Sequence, residues 1–123
     1  MTDQPTVVWT EIPVTDLDRA TQFYTAVLGW KTSRDDTGPN PMVNFSNDMN
    51  GIHGHLYPGT PAANGQGPTI HMAVPGTLAE AVDACKANGG TVLTPPITIP
   101  PGSFVYALDP DGNSLGLFEM AAA

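Results

Sequence analysis

Apolar and polar residues alternate along Val7–Pro13, with Val8, Thr10 and Ile12 on one side and Trp9 and Glu11 on the other. A two-residue period predicts a strand, its first set turned toward a helix. The period then lengthens. Leu17, Ala20, Phe23, Tyr24, Val27 and Leu28 recur at helical spacing behind Asp16, an acidic N-cap with Asp18 in the first turn, and Gly29 is placed to end the helix. A short strand over Lys31–Arg34, a turn-like segment from Asp35 to Asn40, and strands over Met42–Ser46 and Gly51–Tyr57 follow. The stretch Pro58–Pro68 is rich in turn formers and lacks any period, so it reads as a connection.

The same order then restarts. Thr69–Val74 alternates Ile70, Met72 and Val74 against Thr69, His71 and Ala73. Thr77 and Glu80 are spaced for a capping box, with Leu78, Ala81, Val82 and Cys85 at helical spacing behind them and Gly89-Gly90 as the stop. Thr91–Thr94 reads as a short strand and Pro95–Gly102 as a stiff, proline-limited rim. Phe104–Met120 closes the chain as a hairpin around Asp109-Pro110-Asp111-Gly112, where Pro and Gly suit the turn. The total is eight strands and two helices.

The halves are related by one offset. Moving back 61 positions sets Asp48 on Asp109, Gly51 on Gly112, His55 on Gly116 and Leu56 on Leu117, and equally Leu17 on Leu78, Ala20 on Ala81 and Gly29 on Gly90. One shift that serves both a helix and a hairpin marks a duplicated unit. Residues 7–58 form the first module, 58–68 the connection and 69–120 the second. At 123 residues the chain is the size of one domain, 1–123, in which the two modules share a core.

The β-α-β-β-β order, twice over, comes with Val14-Thr15-Asp16-Leu17-Asp18-Arg19, Phe23-Tyr24, Leu28-Gly29-Trp30 and the turn Asp109-Pro110-Asp111-Gly112-Asn113. In these features the chain resembles the vicinal oxygen chelate superfamily, which contains glyoxalase I, the bleomycin-resistance proteins and the extradiol dioxygenases. The resemblance covers nearly the whole chain and implies an α+β fold: two βαβββ modules in tandem, forming a curled mixed sheet, or cup, with the helices outside. It implies a small organic molecule as ligand and a homodimer, since the family joins edge strands or builds cups across two chains.

The family's metal enzymes carry ligands at one inward position on the first and last strand of each half. Carried over, those positions are Trp9, His55, His71 and Gly116. Trp9 lies seven residues before Asp16, and His71 matches it if the second connection is one residue shorter. Two histidines survive, and the other two residues cannot bind a metal through a side chain. The leading expectation is therefore a glyoxalase-like binder without the classical four-ligand centre. Its rival is a metal-dependent lyase, isomerase or dioxygenase that uses His55 and His71 on a divalent ion, and a sequestering resistance protein is a third class.

His53, His55 and Tyr57 share a strand parity, and so do Thr69, His71 and Ala73, so both histidines are candidates to line a concave site as ligands, bases or donors. Trp9, Phe45, Tyr57, Tyr106 and Phe118 join them by parity, with open room expected over Gly116 for a flat or apolar ligand. Glu11, two residues beyond Trp9, is a candidate base if desolvated. Asp109 and Asp111 are explained by turn chemistry and are assigned none of their own. Cys85 falls on an apolar stripe, as a core residue would.

Charge narrows the partners. A formal net charge of −8, with four basic residues and no basic cluster, argues against nucleic acid and anionic membranes. One cysteine permits no intrachain disulfide and fits a reducing compartment, and MTDQPTVVW lacks the pattern of a secretion signal. The expectation is a cytoplasmic protein.

Overall fold

In the computed structural model, residues 6–48 and 50–122 are described. The first module contributes β1 (Thr10–Val14), α1 (Leu17–Leu28), β2 (Ser33–Asp35), β3 (Met42–Asn44) and β4 (Gly54–Pro58). The second contributes β5 (Ile70–Ala73), α2 (Leu78–Ala87), β6 (Thr91–Val92), β7 (Ile97–Ile99), β8 (Gly102–Leu108) and β9 (Ser114–Met120). The α+β architecture is as expected, with the strands divided between two mixed sheets of order β1-β4-β3-β2 and β5-β9-β8-β6, β7 pairing β8 off that path. Nine strands replace the expected eight. The additional one, β7, lies in the proline-limited rim: between its prolines, Ile97, Thr98 and Ile99 pair antiparallel with Phe104, Ser103 and Gly102.

Local signals set the helices. Asp16 accepts a hydrogen bond from the Arg19 amide at 3.0 Å, and Gly29 ends α1 in the left-handed region at φ 68°. The Thr77–Glu80 capping box caps α2 as its spacing predicts. The hairpin turns also match, with Gly51 at φ 83° and Gly112 at φ 84°. Correspondence fails at the helix ends. The left-handed glycine after α2 is Gly89, not Gly90, whose Cβ would stand 2.5 Å from Cys85 Sγ and 2.7 Å from Phe23 Cε1. Gly90 is thus a close-approach glycine, there because α1 packs on α2.

Each helix covers one face of its own sheet, and the two helices also touch each other. Ile12, Val14, Phe23, Tyr24, Leu56, Cys85, Leu115 and Leu117 are buried in a single cluster drawn from both modules. At roughly 1.5–3 kcal/mol for each large apolar side chain, that shared burial is what holds the modules together. A polar clamp adds direction. Tyr24 Oη donates to Asp109 Oδ2 at 2.7 Å, Asn113 Nδ2 donates to the Pro13 carbonyl at 2.9 Å, and Arg19 pairs with Asp111 at 2.8 Å. The expectation that turn chemistry accounts for Asp109 and Asp111 is corrected here. Asp109 does accept the Asp111 and Asn113 amides within its turn, but its other oxygen ties the turn to α1.

Two expected strands are shorter at their N-terminal ends. Pairing of β1 begins at Thr10↔Gly54, which leaves Val7, Val8 and Trp9 ahead of it, and β4 begins at Gly54 rather than Gly51. The reason is the loop before β4, which closes on itself. Asn50 donates its amide to Asp48 Oδ1 and its carbonyl lies 2.6 Å from His53 Nε2, which turns residues 50–53 into a loop whose one backbone bond to β1 is from the Thr10 amide to the His53 carbonyl at 3.2 Å.

Candidate functional site

Strand alternation gives each sheet a second face, opposite its helix. On the first sheet that face carries Glu11 from β1 and His55 and Tyr57 from β4, while Ile12, Val14 and Leu56 point into the core. On the second it carries His71 from β5, Phe104 and Tyr106 from β8, and Gly116 and Phe118 from β9, while Met72, Val105, Leu115 and Leu117 point inward.

The pairing register shows which residues stand beside the two candidate positions. In the parallel pair β5–β9, His71 stands opposite Gly116, and in the parallel pair β1–β4 the residue opposite His55 is Glu11. If His55 is set on Gly116 by the 61-residue offset, the residue that stands to His55 as His71 stands to Gly116 is Glu11, two residues beyond Trp9. On that setting the strand-to-helix connection is one residue longer in the second module, whereas matching Trp9 to His71 required it to be one shorter. Trp9 lies outside the strand, and its indole crosses to the same face, where Nε1 donates to His55 Nδ1 at 2.9 Å.

Around His55 the hydrogen bonds define the imidazole. Indole N–H is only a donor, so Nδ1 must be the bare nitrogen and the proton of the neutral ring resides on Nε2. That nitrogen lies 3.3 Å from Glu11 Oε2. Trp9, His55 and Glu11 thus form a cluster in which the indole donates to the imidazole and the carboxylate stands beside the other ring nitrogen. His55 is largely buried, with 12% of its side chain exposed, but Glu11 is 63% exposed. It is not the desolvated carboxylate that a base at this position would require.

His71 is differently housed. A Cβ built on Gly116 would lie 2.0 Å from His71 Nδ1 and 2.4 Å from Cε1, so the imidazole rests directly on the glycine backbone. The open room expected over Gly116 is occupied by this ring. Phe104, Tyr106 and Phe118 surround it edge-on at 5.1, 5.7 and 6.0 Å, and Phe104 and Phe118 stack parallel at 5.7 Å. Phe104 was not among the expected pocket residues. Its parity with Tyr106 was the available signal.

The expected pocket residues therefore separate. Trp9, Glu11, His55 and Tyr57 gather on one sheet, and His71, Tyr106, Gly116 and Phe118 on the other, with no aromatic contact or ion pair joining the sets among the described residues. Phe45 and His53 belong to neither. Phe45 stacks on Trp30 at 4.2 Å, itself stacked on Tyr24, and with His53 it lines a groove of about 1060 Å³ that reaches Ile70, His71 and Met72. His53 shares the parity of His55, but its ring turns back to the Asn50 carbonyl.

The donor set does not suit a four-ligand metal centre. Among the described residues, no three His, Cys, Asp or Glu side chains converge. Glu11 and His55 form a two-donor edge, the glycine contributes no donor, and His71 stands with the aromatic rings. Cys85 is fully buried in the core, where burial, followed by the charge of Asp109, pushes its thiol up to about 11, away from the thiolate that a ligand or nucleophile needs.

A family model described as the Glyoxalase/Bleomycin resistance protein/Dioxygenase superfamily matches residues 6–117. The chain belongs to this superfamily. Solved superfamily structures similar to it include a glyoxalase/bleomycin resistance protein from Albidiferax ferrireducens T118. That protein is 24% identical with a TM-score of 0.72, over 95% of this chain and 100% of the other. The fosfomycin resistance protein FosX from Mesorhizobium loti is 16% identical with a TM-score of 0.67, over 96% and 92%. A glyoxalase/bleomycin resistance protein/dioxygenase family enzyme from Burkholderia phytofirmans PsJN is 15% identical with a TM-score of 0.68, over 92% and 97%. At these identities the likeness is one of fold. No curated protein matches the sequence. Among the described residues, no helix is long and apolar enough to cross a membrane.

Proposed function

We propose that this superfamily member binds a small organic molecule between its two aromatic-lined sheet faces, without a four-ligand metal centre. The observation that carries this reading is the imidazole of His71 seated on Gly116. The position that would have to supply a ligand has no side chain, and the neighbouring histidine packs among Phe104, Tyr106 and Phe118. Such a surface holds a ligand by stacking and a few polar contacts.

The binding unit in this reading is a homodimer. Each face is half a cup within one chain, and β1 and β5 are both terminal strands of their sheets, with unpaired backbone groups along one edge. A second copy related by a twofold axis satisfies both edges and sets one chain's Glu11–His55 face against the other's His71 face. The single buried thiol and the acidic charge favour the cytoplasm as its compartment.

One observation favours a metal-dependent reading. Glu11 Oε2 and His55 Nε2 are 3.3 Å apart, close enough to share one first-row divalent ion. Two donors fall short of the three that a catalytic site of this kind normally holds. Native mass spectrometry of the protein as purified reads dimer, metal and retained ligand together. Calorimetric titration with zinc, nickel and iron(II), repeated on His55→Ala and His71→Ala, decides the metal. Weak or absent binding is expected. Stoichiometric tight binding, lost in both variants, overturns the metal-free reading and favours a lyase, isomerase or dioxygenase.

A further inference from the structure

The Trp9–His55–Glu11 cluster limits what the β1–β4 face can recognise. Indole Nε1–H is used on His55 Nδ1, and the imidazole Nε2 stands 3.3 Å from Glu11 Oε2, as a near neighbour rather than an aligned hydrogen bond. The indole donor is thus spent within the cluster, and the charge this face presents is that of the carboxylate. The dominant capacity left over is that of an acceptor: a carboxylate that is 63% exposed, with the His55 imidazole 3.3 Å away as its neighbour.

No compensating cation is at hand. Of the four basic residues, Arg19 is engaged with Asp111, Arg34 lies between Asp18 and Asp36, Lys86 is on α2, and Lys31 lines the groove after α1. Among the described residues, His55 is the only partner within ion-pair distance of Glu11. Beside the carboxylate stand two π surfaces, Trp9, which is 39% exposed, and Tyr57, edge-on to His55 at 6.0 Å. The net charge of −8 extends the same sign over the whole molecule.

We infer that the β1–β4 face recognises a flat organic cation, a ring compound with a protonated nitrogen that donates to Glu11 while its ring or charge lies against Trp9 and Tyr57. This rests on the small-molecule reading above and names its ligand class. A carboxylate and an aromatic face both favour positive charge, the second by its quadrupole. An oxyanion such as a phosphonate or sulfonate meets the like charge of Glu11 and is disfavoured. His55 acts here as a positioning residue: Trp9 donates to its Nδ1 and so places the protonated nitrogen on the Glu11 side.

The test uses three flat fluorescent probes with the intact protein at about 0.15 M salt, where long-range steering is largely screened. They are proflavine as the cation, 2-naphthol as the neutral ring and naphthalene-2-sulfonate as the anion. Proflavine should bind about tenfold more tightly than the sulfonate. Glu11→Gln should remove most of that preference. Asp83→Asn, an equal charge change on an exposed residue of α2, should leave it intact. Trp9→Phe should shift the His55 ring nitrogen-15 resonances toward a mixed tautomer and weaken proflavine binding. Sulfonate binding equal to or tighter than proflavine, or equal effects of Glu11→Gln and Asp83→Asn, overturns the inference and leaves small-molecule binding standing. Failure of all three probes to bind overturns both.

Discussion

Replacing Tyr24 by Phe removes one hydroxyl from the contact between the modules and leaves the rest of the ring in place. Tyr24 is fully buried, stacked on Trp30 at 4.7 Å and edge-on to Phe23 at 5.0 Å, and the phenyl ring keeps both contacts. What is lost is the 2.7 Å bond to Asp109 Oδ2. Asp109 is 3% exposed and accepts four hydrogen bonds: from Tyr24 and the Asn113 side chain on one oxygen, and from two amides on the other. A hydrogen bond to a charged group contributes about 1.5–3 kcal/mol, and because Asn113 still serves Oδ2, the loss should fall near the lower end, about 1.5–2 kcal/mol.

Urea unfolding at pH 7, followed by tryptophan fluorescence, reads this as a lower midpoint at unchanged slope. A loss below about 0.5 kcal/mol at unchanged slope would refute the clamp, since that is the size of an ordinary surface substitution. The pH dependence gives a second reading. Burial first, and then the charge of Asp109, hold the Tyr24 hydroxyl well above its ordinary value. Above about pH 10 the unfolded tyrosine releases its proton while the folded one keeps it, so native stability falls as pH rises. Tyr24→Phe abolishes that contribution, so the gap between the proteins should narrow above pH 10. Parallel curves there would show that Tyr24 is not the group responsible.

Other expectations follow from single contacts. Gly54→Ala should destabilise at the upper end of about 1–3 kcal/mol or prevent folding, because its Cβ would stand 2.0 Å from the Thr10 carbonyl and 2.7 Å from Phe45; a thermal midpoint near wild type would contradict the β1–β4 register. Gly116→Ala should drive His71 off its seat, read as loss of the ring-current shift that Phe104, Tyr106 and Phe118 impose on the His71 Cε1 proton, and an unchanged shift would refute the packing. Thr77→Ala should cost about 1 kcal/mol in the same urea assay through loss of the capping box, and a change within error would count against the cap. Cys85 should resist thiol reagents in the native protein and react fully in urea, and Cys85→Ala should flatten the decline of stability between about pH 8.5 and the native thiol's value of about 11.

Sequence by itself determined the parts that depend on near neighbours. The caps at Asp16 and Thr77, the left-handed glycines Gly29, Gly51 and Gly112, and the apolar stripe from Leu17 to Leu28 are each set within a few residues, and each is where the sequence puts it. Alternation also assigned faces correctly: Ile12 and Leu56 lie inward, Glu11 and His55 outward. What alternation leaves undetermined is position along a strand, because a slip of two residues preserves the face of every side chain. Trp9 and Glu11 share a parity, and only the strand register decides that Glu11 is the one that pairs with His55, as His71 pairs with Gly116. Occupancy was decided in the same way. A glycine in a strand reads as open space until the fold brings a neighbouring ring onto it, and at Gly116 the neighbour is His71, 45 residues away in the chain and one strand away in the sheet.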